Sequence, residues 1–187
     1  MVLFQTLENR ENYDEILSEG PFECNRSDAW LTAGYYFWDS HIELAHWWGN
    51  NSYGGKYLIT KVKLSNQDEI FDLHNNSSHR DELRYLIKKL EKEKELPRRA
   101  KLPDVLLYLR KNGIFNQKGI RMEGKNSFKK WYHNIWGPMK VTIKKEAFLD
   151  LIPPIQVCVF DKSILEMETY EIIYPSKISE ISKEELF

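Results

Sequence analysis

Hydrophobic and polar positions alternate along Lys56–Leu64. Leu58, Thr60, Val62 and Leu64 fall on one side, and Tyr57, Ile59, Lys61 and Lys63 on the other. A period of two predicts a strand. Val2–Leu7, Thr32–Trp38 and Met167–Tyr174 also read as strands, with shorter ones at Ile70–Leu73, Gly119–Glu123 and Met139–Ile143. Ile155–Asp161 is apolar on both faces apart from Gln156, which predicts a further strand. Over residues 80–95 the period changes: Leu83, Leu86, Ile87 and Leu90 share one side of a helix. Tyr13, Ile16 and Leu17 mark an earlier, shorter helix, and Ala147–Leu151 reads as one helical turn before Pro153-Pro154.

Punctuation residues bound these elements. Asn9 is the expected N-cap of the first helix and Gly20 its stop. Ser40 and Glu43 have capping-box spacing for a helix ending near Gly49. Pro97 ends the helix over 80–95, Pro103 opens the next and Gly113 closes it. Pro21–Leu31 and Asn50–Gly55 read as loops, Lys125–Trp136 follows neither period, and the tail Ser176–Phe187 is polar. Strands gather toward both ends with helices between them, which predicts an α+β fold in a single domain over residues 1–187.

Composition narrows the classes. No stretch nears the ~20 apolar residues of a membrane span, so no membrane partner is expected. Met-Val-Leu-Phe-Gln-Thr-Leu-Glu lacks the basic and long apolar regions of a signal peptide and reads as the first strand. Two cysteines, Cys24 and Cys158, make no disulfide framework and fit a reduced, cytoplasmic setting. The net charge of −1 conceals a basic block: residues 80–131 hold 16 Lys+Arg against 7 Asp+Glu. That block is either a solvated face of mixed charge or an attractor of phosphates and nucleic acid.

Few residues carry a recognisable chemistry alone. His41 and His46 are five apart, one too many for a shared helix face with zincin spacing, and no metal site is expected. Cys158, between Val157 and Val159, reads as a buried thiol, and Cys24 lies near Arg26. No Gly-x-Ser-x-Gly elbow or phosphate-binding glycine loop with its lysine is present. Gln156 is out of character in its apolar strand. It either faces a cleft or lies on an edge strand facing water. Gly34-Tyr35-Tyr36-Phe37-Trp38 is the densest aromatic run, and it meets a helix N-terminus at once. Such a junction can form the wall of a pocket for a flat, anionic ligand.

Several of these segments, in order, resemble the ADP-ribosyltransferase superfamily, in particular its diphtheria-toxin-like and poly-ADP-ribose-polymerase-like branch. Leu3-Phe4-Gln5-Thr6 with the helix to Gly20 looks like the opening strand, whose pattern is Tyr-His-Gly/Thr. Gly34-Tyr35-Tyr36-Phe37 looks like the Gly-x-Tyr-Phe strand, and Ala45-His46-Trp47 like the end of the next helix. Lys56–Leu64 with Ile70-Phe71-Asp72-Leu73 resembles the following strand and its return, and Ile155–Asp161 the late strand that begins with Glu in active members. The likeness covers roughly residues 2–75 and 153–174 and leaves the helical middle unexplained.

The resemblance implies a split β-sheet scaffold with a central helical insertion over about 80–135, and NAD as substrate. It puts Tyr36 where a tyrosine stacks on nicotinamide, Gln5 where a histidine bonds the ribose, and Gln156 where the catalytic glutamate stands. Gln5, Thr6, Gly34, Tyr35 and Tyr36 are the implied cofactor-binding residues, and Gln156 and Tyr36 the implied catalytic ones. Gln156 can bond a ribose hydroxyl but brings no negative charge, a loss of about 10²–10³ in rate at such positions. Three functions follow. The first is an NAD-dependent ADP-ribosyltransferase that cleaves the nicotinamide glycosidic bond and modifies a macromolecular acceptor, an anionic one if the basic block holds it. The second is an inactive module of the same fold that binds a nucleotide or a partner protein. The third is a nucleic-acid binder acting through residues 84–101. The acceptor and the oligomeric state are left open.

Overall fold

A computed structural model describes residues 1–124, 139–140, 148–149 and 151–176. Its centre is a sheet of seven strands: β1 (Val2–Glu8), β2 (Tyr35–Asp39), β3 (Tyr57–Leu64), β4 (Ile70–Asp72), β5 (Gly119–Glu123), β8 (Ile155–Val159) and β9 (Leu165–Tyr174). Their spatial order is β4-β5-β8-β2-β1-β3-β9. The β4–β5 pair is parallel and the others antiparallel. A parallel pair needs a long crossover. Here it is made by two helices, α3 (Ser77–Lys92) and α4 (Leu102–Lys111). The fold is therefore mixed α+β. The basic middle of the chain is a helical crossover that returns to the sheet as β5, at the strand expected over Gly119–Glu123.

Alternation along the strands gives the sheet two different faces. Leu3, Phe37, Val62, Val157 and Val159 form a closed core on one face, with Ile164 and Leu165. On the other, Phe4, Trp38 and Ile59 meet Leu44 and Ala45 of helix α2 (Ile42–Ser52). Further along that second face, Phe71, Ile120 and Cys158 pack with Leu106 of α4. Helix α1 (Tyr13–Glu19) seals the β3–β9 end through Ile16, Leu58 and Ile172. The α3–α4 pair has its own apolar seam, with Leu90, Val105 and Leu109 buried. Each such side chain contributes about 1.5–3 kcal/mol of transfer free energy.

Local signals decide some boundaries and mislead at others. Asn76 caps α3 by accepting from the backbone N–H of Ser78 and His79, and α3 begins earlier than its apolar spacing suggests. Pro103 sits in the first turn of α4, and Gly113 follows that helix with φ of 64°. Ser40 and Glu43 form no capping box. Ser40 Oγ donates to Asp39 Oδ1 at 2.6 Å, and His41 occupies the cap position without a side-chain bond. Asn9 likewise closes a turn on Glu11 rather than capping α1, which starts at Tyr13 after Asn12. Strand β2 begins at Tyr35 because Thr32 adopts a φ of 72°, outside the strand region. Met139–Lys140 (β6) pairs with Phe148–Leu149 (β7), so the expected helical turn at Ala147–Leu151 contains a strand instead. The expectations for Lys125–Trp136 and for the tail beyond Ser176 lie outside the described residues.

Candidate functional site

Among the described residues the second face of the sheet is not covered throughout. Between α2 and α3, above β2 and β8, lies a cavity of about 1550 Å³. Common ligand pockets measure roughly 300–1,000 Å³, so this one has room for a dinucleotide. Its floor includes Tyr36, Trp38 and Gln156. Trp47 and Trp48 of α2 stand at one side, Arg84 and Lys88 of α3 at the other. The loop between α1 and β2 contributes Phe22 and Trp30. An aromatic wall thus faces a basic helix edge. Glu23, Asp28, Glu91 and Glu123 are also in the lining, as is Arg26 of the α1–β2 loop, so the charge is mixed and its densest basic run is Arg80, Arg84 and Lys88 of α3.

Tyr36 owes its setting to a strained approach. Its hydroxyl accepts from the Leu31 N–H and donates to the Thr32 carbonyl, both at 2.8 Å. Thr32 is buried and held in its left-handed conformation. Its carbonyl is bonded by Tyr36 and its hydroxyl accepts from Arg110 at 3.0 Å. Burial pushes the Tyr36 phenol well above its ordinary pKa, so it stays neutral. Tyr36 therefore presents a ring rather than a free hydroxyl. Cys158, its partner in the β2–β8 register, is fully buried and pushed up to about 12 by burial, an inert thiol.

Gln156 lies in a central strand. β8 sits between β5 and β2, with Gln156 opposite Met122 on one side and Trp38 on the other. The edge-strand alternative is thereby excluded. Its Oε1 accepts from Trp30 Nε1 at 2.7 Å, which fixes the side-chain amide and leaves the Nε2 donors at the cavity. Gln5 differs. β1 and β2 pair at Leu3–Asp39 and Phe4–Trp38, and Gln5 lies just beyond. Its Nε2 donates to the Phe22 carbonyl at 2.9 Å and its Oε1 accepts the Phe22 N–H at 3.0 Å. The amide clamps the incoming loop to the sheet seam. Thr6 also touches the cavity, but its hydroxyl donates to the Ala45 carbonyl at 2.9 Å and anchors α2.

Gln5, Thr6, Tyr36 and Gln156, distant in sequence, thus line one cavity. Gly34 and Tyr35 are outside its wall. A Cβ on Gly34 would stand 2.6 Å from Cys158 Sγ and 2.8 Å from the Val159 carbonyl oxygen, so that glycine permits close packing on β8. Tyr35 packs toward the closed core, with Lys162 Nζ 5.0 Å from its ring centroid. Among the described residues no group of three or more His, Cys, Asp and Glu could hold a metal ion, and no helix is long and apolar enough to cross a membrane.

Sequence reasoning passed over Trp30, His74 and Glu123. Trp30 meets Gln156 across 126 positions, and nothing local announces that contact. His74 Nδ1 lies 3.3 Å from Glu123 Oε2, and both residues line the cavity. Their surroundings depend on a buried ion network. Arg121 bonds Asp39 Oδ2 through Nε at 2.7 Å and Asp72 Oδ2 through Nη1 at 2.8 Å. Burial opposes the charge on Asp72, but the Asn75 N–H, Arg121 and the His74 N–H outweigh it and hold its carboxyl below the usual range. No family model, curated protein or solved structure matches this chain.

Proposed function

We propose that the cavity binds NAD or a related nucleotide. The observation that carries this reading is the pairing, across one cavity, of an aromatic wall with the basic edge of α3. Planar rings gain about 1–3 kcal/mol each by stacking on aromatic side chains. Phosphates are held by cationic side chains such as Arg84 and Lys88. The Nε2 donors of Gln156, without a hydrogen bond among the described residues, suit a ribose hydroxyl or a carboxamide. The ADP-ribosyltransferase-like motif order supplies the choice of NAD over other nucleotides; the split expected of that scaffold is not seen, since β1 and β2 pair within one seven-stranded sheet.

Calorimetric titration with NAD tests this reading. Wild-type protein is expected to show saturable binding. Tyr36→Ala should weaken it by about 1–3 kcal/mol, and the Arg84→Ala, Lys88→Ala double variant should weaken NAD more than nicotinamide riboside. Equal titration curves for all variants would contradict the site.

A second reading extends binding to cleavage of the nicotinamide glycosidic bond, with transfer of ADP-ribose to a macromolecular acceptor. Gln5 gives it no help, since its amide is engaged by Phe22. What favours it is Glu123, a carboxylate in the same lining one residue beyond the partner of Gln156.

A further inference from the structure

His74 is fixed at three points. Its backbone N–H donates to Asp72 Oδ1 at 2.8 Å, its carbonyl accepts from Arg80 Nη1 at 2.6 Å, and its ring meets Glu123. Asp72 is itself tied to Arg121, which lies two residues before Glu123 on β5. The imidazole and the carboxylate are 23% and 25% exposed, sheltered yet open to the cavity. The other ring nitrogen, Nε2, has no hydrogen bond among the described residues. A carboxylate beside Nδ1 favours the tautomer with its proton there, which leaves the Nε2 lone pair open to accept a proton.

We propose that His74 is the general base of this cavity, with Glu123 as its positioning residue. The inference rests on the nucleotide reading and deepens it. The substrate class is a dinucleotide carrying a ribosyl-pyridinium bond, and the nucleophile is water or an acceptor hydroxyl. The C1′–N bond breaks and its electron pair leaves with nicotinamide, which becomes neutral. The hydroxyl oxygen bonds to C1′, and its proton passes to His74 Nε2. The imidazolium is then balanced by Glu123 and returns its proton to solvent. No oxidant or metal enters the step. General-base catalysis of this kind contributes about 10²–10⁴-fold.

The experiment measures NAD affinity by calorimetry and nicotinamide release by chromatography on the same full-length proteins. His74→Asn is expected to lower kcat by about 10²-fold with the NAD dissociation constant unchanged. Glu123→Gln should lower kcat less, and Glu123→Asp should recover part of that loss. Melting temperature reports folding, and His74→Gln replaces the Asn variant if that one does not fold. Wild-type turnover in His74→Asn would overturn the proposal, as would a wild type that binds NAD and releases no nicotinamide. A wild type that fails to bind NAD would overturn the nucleotide reading itself, and this inference with it.

Discussion

Two glutamines touch the same cavity and do opposite things. Gln5 lies where β1 parts from β2, and its amide donates to and accepts from the Phe22 backbone. Gln156 lies mid-sheet, held through its oxygen by Trp30. The first is saturated by the protein; the second keeps donors for something else. The same contrast separates two charged clusters. Arg121, Asp39 and Asp72 bond one another, with Arg121 and Asp39 among the most buried polar residues. His74 and Glu123 are only loosely paired and open to the cavity. Groups already satisfied hold the fold, and incompletely satisfied groups in a cavity are available for a ligand.

The largest effect should come from breaking the closed cluster. Arg121→Met leaves Asp39 buried with only Ser40 as a side-chain partner among the described residues, which costs about 3–5 kcal/mol. Urea denaturation is expected to show that loss. A variant as stable as wild type would mean that the network is less closed than described.

The glutamines give the sharper contrast. Gln5→Ala removes the side-chain partner of the half-buried Phe22 N–H and carbonyl, a cost of about 1–3 kcal/mol. Gln156→Ala frees one indole N–H at a wet cavity and should cost less in stability while weakening NAD binding. Both variants can be followed by melting temperature and calorimetry. The reverse order of stabilities would erase the distinction between the two seams.

The smallest effect concerns His46, far from the ion network. Its Nδ1 lies 2.9 Å from the Tyr57 hydroxyl, and its ring meets Tyr174 edge-on at 4.7 Å. Burial lowers its pKa from 6.5, and Glu43 offsets only part of the shift. The unfolded chain therefore takes up this proton at a higher pH than the folded protein. Stability should be full above the unfolded value, decline as pH falls through about 6.5, and level off below the folded pKa. Melting temperatures of wild type and His46→Phe across that window should differ in slope. Parallel curves would remove His46 from the account.

Much of the sheet was legible because a period of two needs no tertiary context. Lys56–Leu64 shows it, and Ile155–Asp161 was legible instead as a continuous apolar run, extending two residues past the observed strand. The α3 seam was equally plain in Leu83, Leu86, Ile87 and Leu90. Caps were less so: Ser40, at a φ of 60°, donates its hydroxyl to Asp39, and His41 takes the cap position. Of the cavity, Tyr36 and Gln156 stood out in their own strands, and Gln5 and Thr6 were reached only through the family likeness. Arg121, Asp39 and Asp72 looked like ordinary charges until the sheet joined three distant strands. His74 and Glu123 met for the same reason, through the parallel pairing of β4 with β5.

The crystal structure of the protein soaked with NAD bears most directly on the central claim. The account predicts a planar ring of the ligand against the Tyr36 or Trp30 side chain, a polar atom on Gln156 Nε2, and phosphates toward Arg84 and Lys88. NAD bound elsewhere on the surface, or an empty cavity at saturating concentration, would contradict it.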